Sequence, residues 1–555
     1  MLLLAGPALL THNGFIDDYT NHLWLVWVQE SAISHHLLPT YFISAPQVGV
    51  FYPVFEFYGG TSYAATGALA ALLGDRVVVA YVASIMLAVA SAYGGLLWLA
   101  RQLGVRSWLA HAPAIAFVTS AYYVTNLYGR GAWTEFVATS SIPLLAAGGV
   151  RLARAPRVEL RTATLFVLAA IVFIGTHNVT LLLGTVTMII LGGAFWWALG
   201  ARPRDLPRRR LLAVVGLLVL ATGVDAWSLL PNLIYASRVG ISSQAPNVWT
   251  YTGFFNSPGV LFNPLRSVPS ASTTPGLYVQ AADWFLAWAL VAAFALWSAA
   301  GRRLRRAAMA VAVVLVLLLA VTMIGPLWNA LPTTLRQVQF PYRLDTYISL
   351  CIAALVLIGA LALQRERRPG LRRGLLGRGL GLAAAVSITL CVWQLGEGPT
   401  DSVKSYRNRS AVFQSTHLTP RTWYDESYTD ASARIVYTGD RQMFIDPYFI
   451  SGDHQALTVT PPPGTAPFAT NITGGPYAVH VPGGIVPVGR TPEGHVVARR
   501  RNTVSGPVRI TLSAAGGAIA AGKVISAISL LAVLGLLLVA AVSRATRRRR
   551  SVRSA

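Results

Sequence analysis

Long apolar runs, separated by short segments rich in arginine, set the pattern of this chain. Runs at 77–100 (VVVAYVASIMLAVASAYGGLLWLA), 211–221 and 307–325 carry almost no charge. About 20 apolar residues in a helix match the hydrocarbon thickness of a bilayer. Such runs recur along most of the chain, so the pattern predicts an all-α polytopic membrane protein of about twelve transmembrane helices. The pattern changes after 395. There, alternating or β-branched stretches (Ala433–Tyr437, Ala456–Thr460, Tyr477–Val481, His495–Arg499, Val508–Leu512) are separated by Pro/Gly turns at 461–464 and 482–484, which favours short strands. The expected organisation is a multi-span domain over 1–395, a small β-rich module over 396–522, a final transmembrane helix over 523–543 and a basic tail over 544–555. The first apolar run, Met1–Leu10, is too short to span and lacks a basic flank, so the first helix is expected to be truncated.

Charge refines this picture. Of 555 residues, 54% are apolar and 12% charged, with a net charge of +24. Segments 101–106, 151–161, 201–210, 301–306, 364–378 and 544–555 together hold 27 arginines and three acids (Glu159, Asp205, Glu366); the rest of the chain is electrically neutral. Basic residues confined to short loops between apolar runs are the mark of cytoplasmic loops. They argue against nucleic acid as a partner and are compatible with attraction to membrane lipid headgroups. Cys351 and Cys391 both lie in apolar runs and read as small buried hydrophobes.

Placing the arginine loops inside puts 11–62, the turn at 124–131, a hairpin near Gly175-Thr176-His177-Asn178, the loop 231–281, the segment 326–345 and the β-rich module on the outer side. The candidate chemistry gathers there. Asp17 and Asp18 follow the first apolar run, and His22 lies one helical turn beyond Asp18, which suits a carboxylate–imidazole base dyad or half of a divalent-metal site; capping of the next helix is the plainer role. His35, His36 and Glu56 in the same loop are weaker candidates. Arg130 lies in the second outer turn and Glu135 just inside the helix that follows, where a carboxylate is costly unless paired or facing a wet cavity. His177 tops the hairpin. Arg336, Arg343 and Asp345 frame Gln339-Phe340-Pro341 before a helix start, and arginine there suits bidentate phosphate binding. Asp225 and Asp283 lie near the outer ends of their spans. No Walker loop, dinucleotide glycine pattern, zinc spacing or nucleophile elbow occurs. An enzyme working on this face would need an activated donor supplied by the membrane itself.

The pieces "IDDYTNHLWLV", "YPVFEFYGG", "YGRGAWTEFVATSSIPLL", "THNVT" and "QFPYRLDTYISL" resemble a bacterial membrane family labelled 6-pyruvoyl-tetrahydropterin-synthase-related, although nothing suggests pterin chemistry. That family is similar to the GT-C superfamily of glycosyltransferases that use polyprenyl-phosphate sugars. The resemblance covers roughly 11–365 and the closing helix. It implies a GT-C-like fold in the plasma membrane and an inverting transfer of sugar from a polyprenyl-phosphate donor to a glycan or lipoglycan acceptor outside the cytoplasm. It further implies that Asp17 or Asp18 is the base, that Arg130, Arg343 and Arg336 hold the donor phosphate, and that Glu135, His177 and Asp345 support them. Some such enzymes involve a divalent cation, magnesium or manganese, for which Asp18 and His22 are the available pair. A transporter or flippase of lipid-linked precursors is the alternative, and a non-catalytic glycan-binding scaffold a third. Transporters more often show internal repeats and midplane ionisable groups, and neither is evident in the sequence.

Overall fold

In a computed structural model, the described residues of the helical part are 19–36, 59–155, 157–198, 207–235, 301–332, 340–365, 371–406 and 517–553, with short stretches between, together with the strands within 43–52, 268–279 and 442–513. Residues 5–18, 236–254, 280–300, 336–339 and 407–441 are among those outside the description. Asp17, Asp18, Arg336, Glu56 and Asp283 therefore lie outside it, as does the strand expected at Ala433–Tyr437.

The helices are α1 (Tyr19–His36), α2 (Gly60–Leu72), α3 (Val77–Gln102), α4 (Ala112–Val118), α5 (Ala121–Val124), α6 (Trp133–Arg154), α7 (Leu160–Thr176), α8 (Asn178–Ala198), α9 (Arg208–Val224), α10 (Ala226–Tyr235), α11 (Arg302–Met323), α12 (Gly325–Asn329), α13 (Asp345–Arg365), α14 (Leu371–Tyr406) and α15 (Gly517–Arg553). Among the described residues six helices are long and apolar enough to cross a membrane, and the bent pair α9–α10 makes a seventh candidate. The chain is a polytopic membrane protein. Burial separates centre from rim: the span Pro341–Arg365 is 89% buried, whereas Gly517–Val542 is only 6% buried, so α13 threads the bundle and α15 shows its apolar side to lipid.

The arginine loops meet one another. Arg154 Nη1 donates to the Gln102 carbonyl (3.2 Å), Arg210 Nη1 to the Ala153 carbonyl (2.8 Å), and the Arg106 amide to Gln364 Oε1 (3.3 Å). Loops that charge alone groups on one side thus share one end of the bundle.

The expected spans are departed from in three places. The run 107–123 is not one helix: a 3-10 turn at Ser107–Ala110 and α4 stop at Thr119-Ser120, and α5 passes into a π turn over Thr125–Gly129. Pro113 and the polar Thr-Ser pair punctuate an otherwise apolar stretch. Second, α14 runs on to Tyr406, past the expected boundary at 395, and α15 continues through the arginine tail to Arg553; arginine is a good helix former. Third, the span after Arg208 bends by 79° between α9 and α10.

That bend frees backbone groups in an apolar setting, where each costs several kcal/mol if left unpaired. Ser526 of α15 answers it: its hydroxyl accepts from the Trp227 amide at 2.8 Å and donates to the Gly223 carbonyl at 3.2 Å. Gly522, one turn away, lets α15 approach, since a Cβ there would meet the Ala226 carbonyl at 2.6 Å. Ser526→Ala is expected to lower stability by about 1–3 kcal/mol and Ser526→Thr to restore most of it; an unchanged midpoint of thermal unfolding for the alanine variant would show that the hydroxyl is not needed.

Seven of the described strands lie after the pattern changes at 395, and four lie earlier in the chain. β1 (Ile43–Ala45) and β2 (Gly49–Tyr52) form a hairpin between α1 and α2. Strands β3 (Val268–Pro269) and β4 (Tyr278–Val279) pair with each other. Later come β5 (Gln442–Met443), β6 (His454–Val459), β7 (Phe468–Thr473), β8 (Val479–His480), β9 (Ile485–Arg490), β10 (His495–Arg500) and β11 (Val508–Ser513). The hairpin joins the late strands in a sheet ordered β1-β2-β7-β10-β9, with β5 also on β7, while β6-β11-β8 form a second sheet. Val50 stands opposite Ile472 in the parallel β2–β7 pair. The first loop and the late strands therefore share one side of the bundle. The pattern did not announce β7 and β9: β7 alternates weakly (FATNIT), and β9 carries Pro487, which an end strand tolerates.

Candidate functional site

The site is built from turns at one end of the bundle. After α5 the π turn brings the side chains of Tyr122, Asn126 and Arg130, four residues apart, to one side, and the Arg130 amide closes it on the Thr125 carbonyl at 2.8 Å. Gly131 then takes φ +66°, a left-handed conformation natural to glycine, and α6 begins at Trp133. Glu135 thus falls in the first turn of α6, where the helix dipole favours a carboxylate.

Glu135 is the hub. Its side chain is 4% exposed. The Tyr122 hydroxyl donates to Oε1 at 2.9 Å. Arg130 Nη1 reaches Oε2 at 3.2 Å, and also donates to the Tyr122 oxygen (2.9 Å) and Asn126 Oδ1 (3.1 Å). Arg343 arrives from a 3-10 turn, Pro341–Leu344, that leads into α13. Its Nε stands 3.6 Å from the same Glu135 Oε2, too far for a hydrogen bond, and is buried without a hydrogen-bond partner. Phe340 and Tyr342 stack nearly parallel, centroids 5.3 Å apart. The Arg343 guanidinium lies over Phe340 and that of Arg130 over Tyr342, each at 5.1 Å, a contact that holds a cation's plane in place.

Two arginines share one carboxylate, so the cluster carries a net positive charge in a desolvated place. Its neighbours do not remove that charge. Burial, then the charge of Glu135, raises the Tyr122 phenol well above its ordinary range, so it stays protonated and donates. His177 sits between α7 and α8; its Nδ1 accepts from the Thr180 amide at 3.2 Å and lies 2.8 Å from the Thr180 hydroxyl, which leaves the proton on Nε2. Burial pushes His177 down to about 3 despite the opposing pull of Glu135, with Arg343, Arg130 and His22 adding to the fall. It is a neutral imidazole with an N–H to offer.

The structure brings together most of the described residues that the sequence singles out. Arg130, Glu135, His177 and Arg343 form one group, with His22 close enough to influence His177. His22 Nδ1 lies 2.5 Å from the Tyr63 hydroxyl, and its ring packs beside Trp133. Asp345, the first residue of α13, accepts from Asn256 Nδ2 at 2.7 Å and keeps Oδ2 without a hydrogen-bond partner. Asp225 stands elsewhere, on Thr61. Among the described residues no group of three His, Cys, Asp or Glu gathers to hold a metal, and His22 commits one nitrogen to Tyr63; a divalent ion finds no ready cage in them. The residues that sequence reasoning missed are Tyr122, Asn126 and Tyr342. The i, i+4, i+8 spacing of Tyr122, Asn126 and Arg130 was the signal for the first two.

The chain is thus a helical membrane protein with a buried, positively charged cluster under the turns of one end. No known family model and no curated protein matches it. Solved structures with some likeness include the arabinofuranosyltransferase AftD from Mycobacteria (TM-score 0.44, 18% identity, 73% of this chain and 28% of AftD) and ArnT from Cupriavidus metallidurans bound to undecaprenyl phosphate (TM-score 0.36, 12% identity, 91% of this chain and 99% of ArnT). This chain spans little more than a quarter of the length of AftD.

Proposed function

We propose that this protein is an inverting membrane glycosyltransferase of GT-C type. It moves a sugar from a polyprenyl-phosphate donor to an envelope glycan or lipoglycan acceptor on the extracytoplasmic face of the plasma membrane. The observation that carries the reading is the arginine pair, Arg130 buried and Arg343 partly buried, with a single shared carboxylate: Arg343 Nε lacks a hydrogen-bond acceptor, and the surplus positive charge suits the phosphate of a lipid-linked donor. The motifs around Asp17–Asp18, Arg130–Glu135, His177 and Phe340–Arg343 support it from the sequence side.

In this reaction the acceptor hydroxyl oxygen attacks the anomeric carbon from the face opposite the leaving phosphate. The new C–O bond forms as the sugar–phosphate bond breaks, and the polyprenyl phosphate departs with the bonding electrons. Asp17 or Asp18 takes the hydroxyl proton as base. Arg343 and Arg130 oppose the charge that grows on the leaving phosphate, with Arg336 on the same segment as a further candidate. Glu135 holds the two guanidinium planes, and His177 supports them as a neutral donor through Nε2–H.

Arg343→Ala is expected to weaken binding of polyprenyl phosphate by on the order of 2–5 kcal/mol. Titrating purified protein with the lipid reads this directly, and unchanged affinity would make Arg343 structural. Transport of lipid-linked precursors is the second reading, favoured by the broken α9–α10 span. Proteoliposomes holding the donor on one side separate the two: transfer yields a glycosylated acceptor and free polyprenyl phosphate, whereas transport moves the intact donor across.

A further inference from the structure

Asp225 is the buried acid that the arginine cluster leaves unused. It is fully buried at the break between α9 and α10. An aspartate just before a helix ordinarily caps it by accepting from one of its first amides. Here the Trp227 amide is taken by Ser526 and the Ser228 amide by the Asp225 carbonyl. The side chain is released from capping and turns across to α2, where the Thr61 hydroxyl donates to Oδ1 at 2.5 Å. Its second oxygen, Oδ2, is buried with no hydrogen-bond partner.

Further oxygen atoms lie in the same neighbourhood. α7 ends alongside, so close that a Cβ on Gly175 would run into Asp225 Oδ1 and Thr61 Oγ1. Gly59, at φ +74°, lies against the end of α7, and a Cβ there would come within 2.5 Å of the Thr176 carbonyl oxygen and 2.8 Å of that of Gly175. The hydroxyls of Ser62 and Thr176 pair beside them. Two helices, α7 and α9, end at this place, so the negative poles of both dipoles adjoin a carboxylate. None of the ion pairs among the described residues reaches it.

We infer that Asp225 holds a sodium ion at the junction of α2, α7 and α9, with the Thr61 hydroxyl and the terminal carbonyls of α7 as further oxygen ligands. A single carboxylate is neutralised by one positive charge; a divalent ion would leave net charge in a desolvated place, and divalent sites gather more carboxylates. A proton would satisfy one lone pair among several neighbouring oxygens, whereas a cation can engage them together. Gly59 and Gly175 bring these segments into close contact, and the smaller sodium needs less room between them than potassium. Broken helix ends that present carbonyls to sodium are a recurrent device in membrane proteins.

The test is thermal unfolding of the purified full chain in detergent, comparing sodium, potassium and choline chlorides at equal ionic strength, with a magnesium arm. Sodium is expected to raise the midpoint by about 3 °C or more over choline, and Asp225→Asn and Thr61→Val each to abolish that increment. Thr61→Val keeps the carboxylate and stays informative if Asp225→Asn does not fold. Equal midpoints in sodium and choline overturn the site, as does a sodium increment that survives in the variants. A response to magnesium alone, or equally to potassium, overturns the assignment to sodium.

Discussion

Removing the Glu135 carboxylate is expected to destabilise this protein more than any other single change in the cluster. Glu135→Ala would leave the buried Arg130 beside the partly buried Arg343 with no counter-charge, and breaking a buried pair from one side costs about 3–5 kcal/mol. The Tyr122 hydroxyl would lose its acceptor at the same time. Glu135→Gln keeps the shape and the oxygen facing Tyr122 but not the charge, so it should fall between the two. Arg343→Met tests the balance from the other side: Glu135 would still be paired with Arg130 at 3.2 Å, and the cost should be much smaller. The measurement is the midpoint of thermal unfolding in detergent, with and without added phosphate. If the arginines accept anions, phosphate should partly rescue Glu135→Gln, because it supplies the missing charge where Arg343 has an open donor. A glutamine variant as stable as the parent would sink the view of Glu135 as the charge that holds both arginines.

The second large effect concerns rate. Asp17→Asn or Asp18→Asn should lower sugar transfer about 100- to 10,000-fold, the usual contribution of a general base, with no loss of protein from the membrane. Only one of the adjacent pair is expected to act as base, so one variant should be nearly inactive and its neighbour close to normal. Membranes incubated with a polyprenyl-phosphate sugar and a glycan acceptor provide the assay, and full activity in the double variant would remove the base from this segment. A loss of the same size in Arg343→Ala, but recovered at high donor concentration, would separate donor binding from proton removal.

Much of the architecture was legible in the sequence because hydropathy and charge are properties of short segments. The spans at Val77–Gln102, Arg302–Met323 and Asp345–Arg365 follow from runs of apolar residues with arginine at an end. Four of the expected strand positions correspond to β6, β8, β10 and β11. The run at 107–123 misled because apolar composition is indifferent to whether a helix is continuous. The decisive signals there, Pro113 and Thr119-Ser120, act on backbone geometry and leave the run as apolar as before. Asp225 gives no local sign of a 79° bend, since Val224 and Ala226 are ordinary helix residues.

The candidate site divides along the same line. Grouping His22, Arg130, Glu135, His177 and Arg343 at one end needed only the side on which each turn falls, and charge asymmetry supplied it. How they pair did not follow. Glu135 has its two arginines 5 residues before it and 208 after it, and the ring that steadies Arg130 belongs to Tyr342.

By itself, the sequence determined that this is a membrane protein and which of its described turns lie together, since partition between water and lipid is settled residue by residue over a helix length. Only the tertiary structure decided that one carboxylate serves two arginines, that Ser526 mends a break some three hundred residues away, and that the first loop is stitched to the late sheet through β2 and β7. Those outcomes depend on distances of a few ångströms between segments remote in the chain, and on how completely water is excluded from the space between them.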